Sequence, residues 1–312
     1  MKTRAPWLAC LTICLLAGLG RAQAAMYDMP ADDSDVVGHV AHIEADEDDT
    51  FVELGRRYNV GYRELRLANP DVDPWLPGEG TTIVIPTRYV LPDAPRKGIV
   101  INIPEMRIYY YPPEGSSYAG KVVTYPLGIG REGWSTPLGK TSIVRKKADP
   151  TWTPPASIKA EHAKSGDPLP DVVPAGPDNP LGQHALYLGM PSYLLHGTNK
   201  PAGIGLKVSH GCIRLFPEDI AALFSMVPSG TSVNIVSQPY KVGWDGDALL
   251  LEAHPPDAAG DAPVRSFTPW VKELVGATRA HPKTPVDWDR AQNVVEKVDG
   301  MPERIGARSQ KS

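Results

Sequence analysis

Cys212 stands in the run Ser209-His210-Gly211-Cys212-Ile213-Arg214-Leu215, sixteen residues after a second imidazole in His196-Gly197-Thr198. A thiol of ordinary pKa, about 8.5, is only a few per cent thiolate at neutral pH, so a cysteine nucleophile needs a positioned imidazole. A histidine on one strand and a cysteine on its neighbour can meet, because adjacent strands lie about 4.8 Å apart. Gly211 lets the chain bend and turns backbone N–H groups toward the cysteine, as an oxyanion site requires. Three other uses of these residues stay open. Cys212 can be a buried inert thiol. His196, His210 and Cys212 can ligate zinc, although the fourth ligand would have to be the distant His184. His210 can be a structural histidine bonded to backbone. Arg214 reads equally as a receptor for a substrate carboxylate or as half of a buried ion pair.

Competing chemical signatures fail on context. Gly128-Ile129-Gly130-Arg131-Glu132-Gly133 has the spacing of a dinucleotide fingerprint, but Trp134-Ser135-Thr136-Pro137 follows where a helix should start. Gly139-Lys140-Thr141 resembles the end of a phosphate loop whose first glycine would be Trp134. The nucleophilic-serine and zinc-peptidase motifs Ser-x-x-Lys, Gly-x-Ser-x-Gly and His-Glu-x-x-His do not occur. A net charge of −4 leaves no basic footprint for nucleic acid.

The elements that must hold these residues come from 312 residues, room for about two domains. The 33 prolines and 29 glycines argue against long bundles and for short strands, turns and ordered loops. Residues 1–24 read as a signal peptide: Lys2 and Arg4, the apolar run Leu8 to Gly20, then Ala22-Gln23-Ala24. The apolar run is too short to span a bilayer and nothing later approaches the required length, so the mature chain is expected to lack a transmembrane segment. Cleavage would take the charge to −7 and leave Cys212 as the single cysteine. Residues 25–41 are polar and acidic and read as a linker. From 42 to 86 comes a small α+β module, with a helix opened by Thr50-Phe51-Val52-Glu53, a second helix ending at Asn69-Pro70, and a strand from Thr82 to Ile85.

Residues 97–237 change character to short apolar runs between turns. Ile99–Ile103, Met106–Tyr111, Lys121–Leu127, Thr141–Lys146, Ala185–Leu188, Val208–Ile213 and Ser232–Val236 read as strands, with one clear helix from Pro217 to Val227. The fold class is mostly β, a sandwich or barrel with one main helix. Between Asp149 and His184 a Pro-rich stretch with Trp152 reads as an ordered lid. Residues 238–312 read as an accessory segment: a hairpin turning at Asp245-Gly246, then amphipathic stretches near Trp270 to Thr278 and Asp287 to Val298.

Two family resemblances follow from these residues. Asp49-Thr50-Phe51, Leu65 with Ala68-Asn69-Pro70, Leu76-Pro77-Gly78-Glu79-Gly80 and Ile85-Pro86 resemble the LysM module, with Asp48 departing where many members carry Gly. That resemblance implies binding to the glycan of peptidoglycan. His196-Gly197-Thr198 with the Ser209 to Leu215 run resembles the L,D-transpeptidase (YkuD) signature. Supporting matches are Tyr125 to Gly130, Thr136 to Gly139, Pro150-Thr151-Trp152 and Asn179 to Gly182. The resemblance implies a YkuD-type catalytic domain in the periplasm. Cys212 would be the nucleophile, His196 the general acid/base, and the Gly197 carbonyl would orient the ring. Ser209, His210 and Gly211 would shape the thiol loop and oxyanion site, and Arg214, Thr198 and Trp152 would meet substrate. It implies no metal and no organic cofactor. The reaction would form an acyl-enzyme at the third residue of a tetrapeptide stem, release D-alanine, and pass the acyl group to an amine. That amine would be a lipoprotein C-terminal lysine or the diaminopimelate of another stem. Carbapenems would acylate the same thiol. A hydrolase acting on the same bond and a non-catalytic peptidoglycan-binding protein are the rival readings.

Overall fold

A computed structural model describes residues 25–131, 133–256 and 267–308; the expected signal peptide lies outside the described residues. In chain order the elements begin with β1 (Ala25–Asp28), β2 (Val36–Glu44), α1 (Phe51–Tyr58), α2 (Tyr62–Ala68) and β3 (Thr82–Val90). The central part holds β4 (Gly98–Asn102), β5 (Arg107–Tyr111), β6 (Lys121–Pro126), β7 (Ile129–Gly130), β8 (Gly139–Ala148), α3 (Ala156–Lys164), β9 (His184–Leu188), β10 (Leu194–His196), β11 (Lys207–Ser209), β12 (Ile213–Arg214), α4 (Pro217–Met226) and β13 (Ser232–Val236). The chain ends with β14 (Tyr240–Asp245), β15 (Ala248–Ala253), α5 (Phe267–Ala277), α6 (Trp288–Lys297) and β16 (Glu303–Ala307).

Nine strands form one curled sheet in the order β1-β6-β5-β4-β13-β8-β9-β10-β12. The pairs β13–β4 and β10–β12 are parallel and the rest antiparallel. The mostly-β expectation holds. Strands β4 to β6 are buried on both faces, which explains continuous apolar runs such as Ile99-Val100-Ile101 in place of alternation. Ile99, Ile101, Ile108, Tyr110, Val123 and Tyr125 face a core closed by Ile220 and Leu223 of α4. Val100, Tyr109, Tyr111 and Val122 face the opposite way, against Val37 and Tyr89 of the β2–β3 ribbon.

Residues 25–41 are a correction to the linker reading. β1 pairs with β6 at the edge of the main sheet, and β2 pairs with β3 over nine residues from Val36↔Val90 to Glu44↔Thr82. Asp32, Asp33 and Asp35 lie in the connection between these strands, so the acidic character belongs to a turn. β3 also runs through Pro86, because a two-stranded ribbon has outer edges where the missing N–H is tolerated. In α1 the Thr50 hydroxyl accepts from the Glu53 N–H, as the cap motif requires. In α2 the Glu64 carboxylate accepts from the Gly61 N–H. Both helices bury Phe51, Leu54 and Leu65 against Ile83 and Ile85 of the ribbon.

This module is docked on the main sheet and on α4. Arg107, fully buried on β5, places Nε and Nη2 at 3.0 and 2.9 Å from the two Glu64 carboxylate oxygens. Asn59 Nδ2 donates to both oxygens of Asp219 on α4, at 2.8 and 2.9 Å. Arg56 forks onto Glu218. The accessory segment is joined just as firmly. Buried Lys241 places Nζ 2.9 Å from Glu105 and 2.7 Å from Glu252, and donates to the Val90 carbonyl at 2.7 Å. The β14–β15 hairpin turns after Asp245 as expected.

Candidate active site

β10 lies between β9 and β12, and its parallel register with β12 sets Leu195 against Ile213 and His196 against Arg214. Leu195 and Ile213 are both core residues. Strand alternation therefore sends His196 and Arg214 to the other face. Cys212 directly precedes Ile213 at the start of β12, beside the strand that carries His196, and the Arg214 charge acts on both the imidazole and the thiol.

His196 is buried, and its Nδ1 sits 2.6 Å from the Gly197 carbonyl oxygen. A carbonyl only accepts, so Nδ1 carries the proton and Nε2 keeps the free lone pair. Burial, reinforced by the Arg214 charge, brings the imidazole pKa down to about 3 despite the Gly197 and Leu181 carbonyls. Burial also pushes the Cys212 thiol up. At rest the pair is a thiol and a neutral imidazole. The Cys212 Sγ points at the Ser192 carbonyl at 3.5 Å, and Ser192 itself is a left-handed residue with φ 71°.

The loop that carries the thiol is fixed on all sides. Ser209 Oγ donates to the Cys212 carbonyl at 2.5 Å, and Thr136 Oγ1 donates to the Gly211 carbonyl at 3.0 Å. Both bonds pin the carbonyls of the turn from its flanks. Gly211 has φ 97°, a conformation that disfavours any side chain, and a Cβ there would meet the Tyr193 ring at 3.2 Å. Val208 to Ile213 is therefore not one strand, as its composition predicts. The turn at Gly211 splits it into β11, paired with β7, and β12, paired with β10. The Gly-x-Gly of 128–130 finds its reason here too. A Cβ on Gly130 would lie 1.8 Å from the Trp134 carbonyl oxygen and 3.0 Å from the Gly211 Cα. These glycines let two backbones touch beside the thiol.

His210 is half-buried, edge-on to Trp134, and its Nε2 faces Glu161 Oε2 at 3.2 Å and Arg131 Nη2 at 3.0 Å. Its partners are side chains, where the structural reading of the sequence expects backbone. The zinc alternative does not assemble. Among the described residues the gathered metal-type group is Glu105, Glu252 and His254, far along the sequence from His184, His196, His210 and Cys212. Arg214 is half-buried, its Nε has no hydrogen-bond partner, and no ion pair to it occurs among the described residues. That removes the ion-pair reading of Arg214 and leaves a guanidinium facing the thiol and imidazole. Burial lowers its pKa while the Cys212 thiolate form would raise it. Thr198 is buried and accepts from the Lys200 N–H. Trp152 exchanges two backbone hydrogen bonds with Val173, at 2.9 and 2.7 Å, which cinches the ends of the lid. Within it lies α3, a helix that the Pro-rich sequence did not announce. Thr136, Ser192, Arg131 and Glu161 also escaped sequence reading. Of these Thr136 and Arg131 fell inside quoted motifs, Arg131 only in the rejected dinucleotide fingerprint.

The chain is similar to known proteins. The YkuD profile, described as the L,D-transpeptidase catalytic domain, matches residues 96–235. The probable L,D-transpeptidase YcfS of Escherichia coli K12 is 46% identical over 264 residues, 82% of this chain and 81% of that protein. The probable L,D-transpeptidase ErfK/SrfK of the same strain is 38% identical over 309 residues, 96% of each. A solved L,D-transpeptidase in complex with imipenem is 22% identical over 44% of this chain and 57% of that chain, with a TM-score of 0.34. A cysteine loop paired through β12 to a histidine strand, on a chain so closely related to YcfS and ErfK/SrfK along most of its length, makes this protein a member of the L,D-transpeptidase family.

Proposed function

We propose that Cys212 is the nucleophile and His196 the general acid/base of a peptidoglycan L,D-transpeptidase acting in the periplasm. The observation that supports the assignment is the β10–β12 pairing, which sets His196 against Arg214, with Cys212 just before β12 and the Arg214 charge acting on both groups. Because both reacting groups are neutral at rest, proton transfer accompanies attack. His196 Nε2 takes the Sγ proton as sulfur bonds to the carbonyl carbon of the third residue of a tetrapeptide stem. The N–H groups of Gly211 and Cys212 receive the oxyanion. Collapse breaks the C–N bond, and D-alanine leaves with the proton held by the imidazolium, giving a thioester. An amine then attacks, gives its proton to His196, and restores the thiol. The acceptor is a lipoprotein C-terminal lysine or the diaminopimelate amine of a second stem. Arg214 is the cation next to the reacting atoms and takes a stem carboxylate. His210 and Ser209 support the loop.

The β2-α1-α2-β3 module, LysM-like in its residues, is assigned to the glycan. Its order of strand, two helices and strand fits that reading, as do Trp75 and Leu76, 64% and 68% exposed in the connection after α2. The test of the central claim is intact mass after incubation with a tetrapeptide stem or with imipenem. Wild type should gain the acyl mass and Cys212→Ala should not, while both melt alike and bind sacculi alike. An adduct on Cys212→Ala would remove the mechanism. Muropeptide analysis with and without a peptide ending in lysine assigns the acceptor.

A further inference from the structure

The lid sets a carboxylate against the thiol loop. Glu161 on α3 directs both oxygens to Arg131 Nη2, each at 2.5 Å, and Oε2 also faces His210 Nε2, two residues before Cys212. Arg131 is anchored to the same loop by its own backbone, whose N–H donates to the Ser209 carbonyl at 2.9 Å. Its Nε is buried with no hydrogen-bond partner among the described residues. Arg131 thus holds one nitrogen on a carboxylate and keeps another donor of its fork unused. A guanidinium that binds a carboxylate in full uses two parallel N–H donors. The Glu161 grip is incomplete, and its two side chains are 39% and 41% exposed, the setting in which an ion pair exchanges readily for another.

The positions say what the exchange partner is. Arg131 and Arg214 both act on His210, one from the loop after β7 and one from β12, so the thiol turn lies within reach of two guanidiniums. One of them, Arg131, is covered by a carboxylate carried on the lid. A stem peptide brings several carboxylates to this same place. We infer that Arg131 is a receptor for one carboxylate of the stem peptide, and that Glu161 is an internal carboxylate occupying it until substrate arrives. Binding then swaps the Glu161 carboxylate for that of the stem and frees α3 from the thiol loop. The inference rests on the stem being the acyl donor, as proposed above.

The experiment compares acylation of wild type, Glu161→Gln and Arg131→Gln by synthetic tetrapeptide stems, followed by intact mass. The stems are the unmodified peptide and three versions with one carboxylate amidated in each. Glu161→Gln should lower KM for the unmodified stem with kcat little changed. Arg131→Gln should lower kcat/KM for it by about tenfold or more, the loss of a charge-assisted hydrogen bond. That loss should vanish for one amidated stem and persist for the other two. Equal losses on all four stems, or no fall in KM for Glu161→Gln, would overturn the inference and leave the pair as a clamp. Alkylation of Cys212 by iodoacetamide, which carries no charge, reports whether the loop is intact in each variant. If Arg131→Gln alters it, Arg131→Lys carries the comparison. If wild type is alkylated normally yet never acylated by any stem, the donor assignment fails instead.

Discussion

Glu64→Gln and Arg107→Met should destabilise the protein to similar extents at pH 8 and to very different extents at pH 5. Arg107 is wholly buried, with Glu64 at 2.9 and 3.0 Å, Thr124 Oγ1 at 3.2 Å, the Asn59 carbonyl at 3.3 Å and the Tyr89 ring 4.3 Å beneath. Removing one partner of such a pair strands the other charge and costs about 3–5 kcal/mol. In Glu64→Gln the stranded group is a guanidinium, which cannot shed its proton, so the cost persists at every pH. In Arg107→Met the stranded group is a carboxyl. Burial already raises its pKa against the pull of Arg107, and the rise grows when the guanidinium goes. A carboxyl whose folded pKa lies above its unfolded one contributes stability that is complete at low pH and lost as pH climbs to the folded value. Each unit in that interval is worth about 1.4 kcal/mol, so moving from pH 8 to pH 5 returns up to about 4 kcal/mol to Arg107→Met. Urea unfolding of both variants against wild type at the two pH values measures this. Parallel losses at both pH values would refute the reasoning, as would a loss near zero for either variant at pH 8.

Three further outcomes come from the site itself. Gly130→Ala should destabilise by about 1–3 kcal/mol through overpacking against Trp134 and Gly211, and should slow acylation of Cys212. Gly276→Ala in α5, with open space around it, is the control expected to leave both unchanged or to raise Tm slightly. Because burial raises the Cys212 thiol, its alkylation by iodoacetamide should still be accelerating at pH 9; a plateau by pH 8 would mean a stabilised resting thiolate. The imidazole of His196 is held near a pKa of about 3, so the unfolded chain takes up that proton first and the contribution falls as pH drops below about 6.5. His196→Asn should therefore gain on wild type by up to about 3 kcal/mol between pH 6.5 and pH 4, read from urea midpoints.

The family was legible because its signal is local: the residue types and their spacing around His196 and Cys212 survive without any knowledge of packing. The strands β4, β5, β6 and β13 were legible for a related reason, since double-sided burial leaves unbroken apolar runs. Elements without that signature were not. β1 and β2 flank an Asp-rich turn whose charge masked them. α3 follows Pro154-Pro155 and buries only Ile158, so it presents no apolar stripe to read. β11 and β12 read as one strand because periodicity does not register the left-handed turn at Gly211. The contact of Arg131 with Glu161 was invisible in principle, as a charge pair thirty residues apart carries no pattern.

The domain boundaries drawn from composition also hide a mechanical unit. Asn59, Gly61 and Glu64 all come from the corner between α1 and α2. Asn59 holds Asp219 at the start of α4, just after the thiol strand. Gly61 packs on Gly205, where a Cβ would meet the Gly61 and Tyr62 backbone within 2.7 Å, and the Tyr62 N–H donates to the Ile204 carbonyl just before the thiol strand. Glu64 holds Arg107 on β5. The small module thus braces the chain on both sides of Cys212. Its junction is a buried one, with Asp219 pushed up to about 8 by loss of water. A module that served only as a flexible tether would not need its polar groups desolvated at the joint. Here the α1–α2 corner and the thiol loop stand on a shared foundation, so the two cannot shift independently without breaking buried contacts.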